Sequence, residues 1–151
     1  MYDALGQKPE ALQYYEQALV ITREVGDRGG EGTTLHNLGG VYDDLGQKPD
    51  ALHYYEQALA IFGEVGDRGG EGITLGNIGA FYQNEKRYDV ALSAFILAQR
   101  IFIEVQSPNS DSVQEWIDDI HQKIGDKQFA ALLKNVEPQA QQIVDKALRE
   151  P

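Results

Sequence analysis

The sequence predicts an all-α protein built from stacked, antiparallel helix pairs. Two observations carry this prediction. The first is an ungapped internal repeat, in which residues 2–40 match residues 42–80 at 29 of 39 positions with an offset of 40 residues. The second is a helical spacing of apolar residues within each copy. A fixed period of this length is typical of stacked supersecondary units, each of which buries its apolar face against its neighbours.

Each repeat contains a Gly-Gln-Lys-Pro turn, at Gly6–Pro9 and again at Gly46–Pro49. Glycine tolerates the positive φ that ends a helix, and proline suits the first turn of the next one. The following helix is predicted over residues 8–25 and, in the second copy, over residues 48–65. Its apolar residues recur at spacings of three and four and therefore share one face: Ala51, Leu52, Tyr55, Ala58, Leu59, Phe62 and Val65.

A glycine-rich stretch at residues 26–32 and 66–72 is predicted to end one helix and open the next, which should begin just after Gly30 in the first copy. That next helix contains Gly39 or Gly79, although an internal glycine costs roughly 1 kcal/mol relative to alanine. We therefore expect a tight helix–helix contact at both positions. The stretch is not predicted to bind phosphate, because it follows a helix and has Glu31 where a phosphate loop needs lysine.

Residues 1–5 match only the tail of a helix, so the chain opens in mid-repeat. It was either cut from a longer array or begins with half a unit. A diverged third copy ends near residue 107, and three further helices are predicted after it. The first covers residues 110–124, with Ser112 and Glu115 as a capping box. We predict one continuous structural domain, with the repeat array over residues 1–107 and capping helices over residues 108–151.

Residues at defined positions of the helix pairs resemble the signature of tetratricopeptide repeats. They are Leu35, Leu38, Gly39, Tyr42, Ala51, Tyr55 and Ala58, and again Leu75, Ile78, Gly79, Tyr82, Ala91, Phe95 and Ala98. The resemblance covers about residues 1–105 and implies a right-handed α-solenoid that serves as a non-catalytic scaffold for protein binding. The offset of 40 residues exceeds the family's usual period of about 34. The chain is in this respect similar to kinesin light chains, to the Leu-Gly-Asn repeat scaffolds and to cyanobacterial repeat proteins.

The resemblance also implies a concave groove lined by the first helix of each pair. By position, the groove residues are Thr33, His36, Asn37, Gly40, Asp43 and Asp44, followed by Ile73, Gly76, Asn77, Ala80, Gln83 and Asn84. Asn37 and Asn77 are the sharpest candidates, because a carboxamide can both donate to and accept from an extended peptide backbone. Alternatively, they fix the contact between repeats. Asp43 and Asp44 would select a basic partner, unless they are simply exposed helix residues.

Composition excludes several classes of function. A net charge of −11 opposes binding to nucleic acid, which needs clustered cations. No apolar run has the length of a membrane helix, and no signal peptide is present at the start, so a cytoplasmic location is predicted. The chain has no cysteine, and its three histidines lack ligand spacing, so we expect no metal and no cofactor. Nothing in the sequence resembles a catalytic motif, and an enzyme is not predicted.

A structural role is the alternative to peptide binding. If the chain begins with half a unit, the apolar face of Leu12, Tyr15 and Leu19 should lack most of its covering helix. Near-identical copies can replace one another between chains, which favours end-to-end stacking or exchange of helices. This hypothesis predicts a homo-oligomer that forms through the N-terminal end.

Overall fold

The computed structural model describes residues 8–149. This range contains no strand and confirms the predicted all-α class of consecutively packed helices. The helices are α1 Lys8–Val25, α2 Arg28–Asp44, α3 Lys48–Val65, α4 Arg68–Asn84, α5 Tyr88–Glu104, α6 Asn109–Ile124, α7 Asp126–Val136 and α8 Ala140–Arg149, with a 3-10 turn at Glu137–Gln139 before α8. The predicted helix tail at residues 1–5 and the start of the first turn lie outside the described residues.

The helices fall into two compact units, Met1–Gly70 and Glu71–Pro151. In the first unit, α2 contacts both α1 and α3. In the second unit, α5 is the central helix and contacts α6, α7 and α8. The division of the chain into an array over residues 1–107 and a cap over residues 108–151 stays a prediction.

The core of the first unit is an apolar cluster shared by its three helices. Its members are Leu19, Leu35, Leu38, Ala58, Ile61 and Phe62, with Leu12, Tyr15, Tyr42 and Tyr54 packed at the edge. The expectation that Leu12, Tyr15 and Leu19 lack most of their cover is wrong for Leu19, which is buried. Leu12 and Tyr15 are only half-buried, whereas their α3 counterparts Leu52 and Tyr55 are 4% and 2% exposed. These three residues lie on the side of α1 that turns toward this cluster, and other apolar residues of α1 are exposed instead.

Local signals fixed several helix ends as predicted. α1 and α3 have the predicted bounds, and Gly46 adopts a φ of +76° between α2 and α3. α2 starts earlier than predicted, at Arg28, because the Asp27 side chain caps it by accepting a hydrogen bond from the Gly30 amide at 2.9 Å. The glycines at positions 29, 30 and 32 therefore belong to the first turns of α2.

The predicted capping box of α6 is wrong. The helix begins at Asn109, so Ser112 lies inside it, and Pro108 occupies the N-cap position without a side-chain hydrogen bond. Instead, the Ser107 hydroxyl accepts a hydrogen bond from the Asn109 amide at 3.2 Å. Proline is well suited to a helix start because its φ is already helical, and this preference decides the boundary.

Glycines of the first helix in each pair lie directly against aromatic rings of the second. A Cβ added at Gly39 would lie 2.7 Å from Cδ1 of Tyr55, and one added at Gly32 would lie 2.9 Å from Cε1 of Phe62. In the second unit, Gly79 meets the Phe95 ring in the same way. These separations are too short for carbon atoms, which confirms the predicted tight contacts at Gly39 and Gly79.

We expect Gly39→Ala to lower the free energy of unfolding by about 1–3 kcal/mol, because the added methyl group overpacks the contact with Tyr55. Gly63→Ala is the matched control, since Gly63 is also helical and a Cβ there meets nothing within 4 Å. That substitution should raise the free energy of unfolding by about 0.5–1 kcal/mol through helix propensity. Urea unfolding of both variants measures the two changes in the free energy of unfolding. A similar change for both substitutions would contradict the role assigned to the contact between Gly39 and Tyr55.

Candidate functional site

Two of the predicted groove residues of α2, His36 and Gly40, lie beside one aromatic side chain of α3. Tyr55 is 2% exposed, and its ring rests against Gly39. Its hydroxyl lies beside Gly40, where an added Cβ would be 3.7 Å from the hydroxyl oxygen. The centroid of the His36 ring lies 5.8 Å from that of Tyr55. Two of the candidates, His36 and Gly40, therefore lie beside Tyr55. The sequence indicated only a packing role for Tyr55.

The electrostatic environment on this side of α2 sets the protonation states of the side chains that could bind a ligand. Burial, with a further contribution from Asp43 and Asp44, raises the pKa of the Tyr55 hydroxyl, so it keeps its proton at neutral pH. Burial lowers the pKa of His36, which is therefore a neutral imidazole with one donor and one acceptor. The carboxylate of Asp43 lies 3.5 Å from the Lys48 ammonium.

The remaining α2 candidates differ in how far their side chains are exposed to a ligand. Thr33 is exposed, but its hydroxyl donates to the Gly29 carbonyl at 3.1 Å within the same helix. Asn37 is half-buried, and Asp44 is exposed. We call the set His36, Asn37, Gly40, Asp43 and Asp44 the α2 polar face.

The corresponding residues of α4 belong to the second unit. Ile73 is 47% exposed, Ala80 and Asn84 are exposed, and Asn77 is half-buried. Phe95 stands where α3 has Tyr55, and Ala80 stands where α2 has Gly40. The α4 side therefore lacks the tyrosine hydroxyl and is more apolar than the α2 polar face.

Part of the α4 side is in contact with α6. A Cβ added at Gly76 would lie 3.3 Å from the Trp116 ring, and Gln83 donates a hydrogen bond to the Asp119 carboxylate at 2.5 Å. The residues of α6 were predicted to form part of the cap, and their contact with α4 was not predicted. The available signal was the change from His36 to Gly76 between copies, which makes room for a large side chain.

The comparison with protein families adds a family assignment to this geometry. The model of the tetratricopeptide repeat family matches residues 1–64. Residues 1–64 thus consist of tetratricopeptide repeat sequence. No curated protein and no solved structure matches the chain. The family typically provides non-catalytic scaffolds for protein–protein interaction, and the similarity to long-period members stays a prediction.

Two further observations concern the part of the chain that the structure describes. No helix within residues 8–149 is both long enough and apolar enough to cross a membrane. No group of three or more histidine and carboxylate side chains in the same range is arranged to hold a metal ion.

The second unit contains a cleft that sequence analysis missed. It has a volume of about 380 Å³ and lies between α5, α6 and α7. Its lining includes Ile96, Ile103, Ile117, Phe129 and Leu133, with Arg100 and His121 among the polar residues. The signal in the sequence was that α5 has Ile96 and Ile103 where α3 has Glu56 and Gly63.

The glycine-rich stretch of the repeat carries an ionic network around the buried Glu31 and offers no anion site. The Glu31 side chain is 7% exposed and accepts hydrogen bonds from Arg23 at 3.0 Å and Arg28 at 2.8 Å. Arg28 also binds Glu64 at 2.7 Å, so the network connects α1, α2 and α3. With Asp27 capping the amide of Gly30, the N-terminus of α2 already has its negative partner.

The pKa of Glu31 reflects two opposing effects. Burial alone raises it, but the hydrogen bonds from Arg23 and Arg28 outweigh burial, and the pKa is lowered. The carboxylate therefore contributes stability that is fully present above its ordinary pKa and is lost as pH falls through the folded-state pKa.

We expect Glu31→Gln to lower the free energy of unfolding at pH 7 by about 1.5–3 kcal/mol, the range for hydrogen bonds to a charged group. The difference from wild type should shrink in acid, where Glu31 becomes protonated in the wild type as well. Glu24→Gln, at an exposed position of α1, is the control and should have little effect. Urea unfolding at a series of pH values tests this, and a difference that grows in acid would contradict it.

Proposed function

We propose that this protein is a non-catalytic scaffold that binds a peptide segment of a partner protein along the α2 polar face. The proposal is supported chiefly by the position of Asn37, half-buried beside the neutral His36 on a helix whose opposite side is fixed in the core. A half-buried carboxamide has little freedom, so its donor and acceptor are already oriented when a peptide arrives.

The charge of the α2 polar face favours a basic peptide. Asp43 and Asp44 are adjacent, and the Lys48 ammonium lies 3.5 Å from the Asp43 carboxylate. The net charge of −11 for the whole chain acts in the same direction at longer range. Lysine and arginine residues in the partner would therefore raise the association rate constant. This increase would become smaller at high salt, because salt screens the attraction.

The α4 side offers a different set of contacts within its own unit. Ile73 and Trp116 are 47% and 41% exposed, and Asn77 repeats the carboxamide of Asn37. We propose that α4 contributes apolar contacts and a second carboxamide to the same class of ligand. The cytoplasmic location stays a prediction, as do the absence of a cofactor and of a nucleic-acid partner.

The test is selection of peptides from a displayed random library on the wild-type protein, followed by affinity measurement by fluorescence polarisation. Selected peptides should be enriched in lysine and arginine. Asn37→Ala should weaken binding by about three- to tenfold, the cost of one or two neutral hydrogen bonds. Asp43→Asn with Asp44→Asn should weaken it in a salt-dependent way.

Gln122→Ala is the matched control, because it removes an exposed carboxamide from α6. Thermal unfolding of the Asn37→Ala variant distinguishes peptide binding from the alternative role. If Asn37 only fixes the packing between repeats, its replacement would lower the stability of the protein. Unchanged affinity after Asn37→Ala combined with Asn77→Ala would overturn the proposal.

Self-association through α1 is a second candidate function, favoured by one observation. Tyr14, Ile21 and Val25 are 62%, 58% and 71% exposed, which is high for large apolar side chains on one helix. We expect sedimentation equilibrium to give a mass that rises with concentration above the 16.8 kDa of one chain. Tyr14→Ser combined with Ile21→Ser should restore the mass of a monomer. A wild type that stays monomeric at high concentration would contradict self-association.

A further inference from the structure

We infer that the cleft between α5, α6 and α7 binds a small aliphatic carboxylate, whose charged group is held by Arg100 and whose chain contacts the apolar lining. The cleft belongs to the second unit and includes no residue of the α2 polar face, so this function is separate from the proposed peptide binding. Its volume of about 380 Å³ lies at the lower end of the range of about 300–1,000 Å³ for small-molecule sites. A helix, about 10–12 Å across with its side chains, is too large to enter it.

Three residues of α5 give the cleft its chemical character. Ile96, Arg100 and Ile103 line it at spacings of four and three residues, so they share one face of the helix. In α3 the positions of the two isoleucines hold a glutamate and a glycine, and the position of Arg100 holds Ala60. Compared with α3, two positions of this face are thus apolar and one is cationic, which is the pattern that an amphipathic anion requires.

Packing within the chain accounts for only part of the apolar lining. Ile96 is 8% exposed and Ile117 of α6 is 6% exposed, so both are covered by their neighbours. Ile103, however, is 63% exposed, and Phe129 and Leu133 of α7 are half-buried. Apolar surface therefore remains accessible on two of the three helices. An aliphatic chain in the cleft would remove this surface from water, with a gain that grows with the apolar area covered.

Arg100 supplies the charge that selects the ligand. It is exposed, and its side chain donates a hydrogen bond to the Glu137 carbonyl at 3.4 Å, which is longer than usual for such a bond. No ion pair joins Arg100 to a carboxylate within residues 8–149, whereas Arg23 and Arg87 each have one. Most of its N–H donors are thus open to a ligand, and a guanidinium matches the two oxygens of a carboxylate.

Other polar residues of the lining bind one another or a neighbour. The Gln99 amide donates to the Gln114 side-chain carbonyl at 2.7 Å, and the Gln114 amide donates to the Asp118 carboxylate at 2.9 Å. A ring nitrogen of His121 lies 2.7 Å from the Asp126 carboxylate. The first set bridges α5 and α6, and the second joins the end of α6 to the start of α7. These contacts hold the walls of the cleft and leave Arg100 to bind the ligand.

Two acidic residues of the lining, Asp118 and Glu137, define the competing ligand, which is an aliphatic amine. The Asp118 carboxylate already accepts the hydrogen bond within α6. Glu137 begins the 3-10 turn and contacts Arg100 through its carbonyl, not through its carboxylate. Because Arg100 lies between two isoleucines of the lining on the same face of α5, a carboxylate is the favoured ligand and the amine is the comparison that tests this choice.

The experiment titrates the full, isotope-labelled chain with octanoate and follows the backbone amide signals by NMR. Saturable shifts are expected in α5, α6 and α7. Octanol and octylamine are matched probes, because they have the same chain without the negative charge. Both should bind at least about tenfold more weakly, since neither accepts charge-assisted hydrogen bonds from Arg100.

Variants of the full chain test the two parts of the site. Arg100→Gln should weaken octanoate binding by about tenfold or more, and Arg100→Lys should recover part of the loss. Arg87→Gln is the matched control, because it removes an exposed arginine outside the lining. Ile103→Ser should weaken binding by about threefold or more through lost apolar contact. Val105→Ser, at a position that is 42% exposed outside the lining, should not. All four positions are exposed, and the amide spectra show directly whether each variant is folded.

Several outcomes would overturn the inference. Absence of saturable shifts with octanoate would show that the cleft does not bind it, and shifts confined to other helices would place the ligand elsewhere. Equal octanoate binding by the wild type and the folded Arg100→Gln variant would remove the role of Arg100. Octanol or octylamine binding as tightly as octanoate would contradict the selection for a carboxylate. Peptide selection on the α2 polar face uses none of these residues, so the two proposals can fail separately.

Discussion

The close approach of a glycine in α2 to an aromatic ring in α3 is the constraint on which the helix pair depends. A Cβ at Gly39 would lie 2.7 Å from the Tyr55 ring, so no other residue fits without displacement. The cost of an internal helix glycine, roughly 1 kcal/mol, is offset by the contact that its absent side chain permits. The same arrangement recurs at Gly79 and Phe95, although Tyr55 has become phenylalanine. The pair geometry therefore depends on the ring and not on its hydroxyl.

This constraint also decides where function can lie. One side of α2 is held against Tyr55, whereas His36, Asn37 and Asp43 are half-buried and Asp44 is exposed. Selection can then alter these less buried positions without disturbing the pair, and the copies do differ there: His36 becomes Gly76 and Gly40 becomes Ala80. In the second unit, the smaller residue at position 76 receives Trp116 of α6. One repeat thus presents polar groups, whereas the next contacts a helix of its own chain.

Features that depend on residues close together in the chain were predicted well from the sequence. The bounds of α1 and α3 followed from glycine and proline signals, and the tight contact at Gly39 followed from an otherwise costly glycine. Failures came from competition between neighbouring signals and from contacts distant in the chain. Asp27 starts α2 ahead of the glycines, and Pro108 displaces the cap expected at Ser112. The contact of Trp116 with Gly76 joins segments whose approach no local pattern specifies.

A double-mutant cycle between Gly39 and Tyr55 tests the central constraint most directly. The cycle compares the effect of Gly39→Ala on the free energy of unfolding in the wild type and in a Tyr55→Leu background. In the wild type the substitution should destabilise the protein, because the methyl group meets the ring. In the Tyr55→Leu background, where the ring is gone, it should become neutral or stabilising through the helix propensity of alanine. An equal loss in both backgrounds would contradict the account, since the glycine would then be required for a reason other than the approach of the ring.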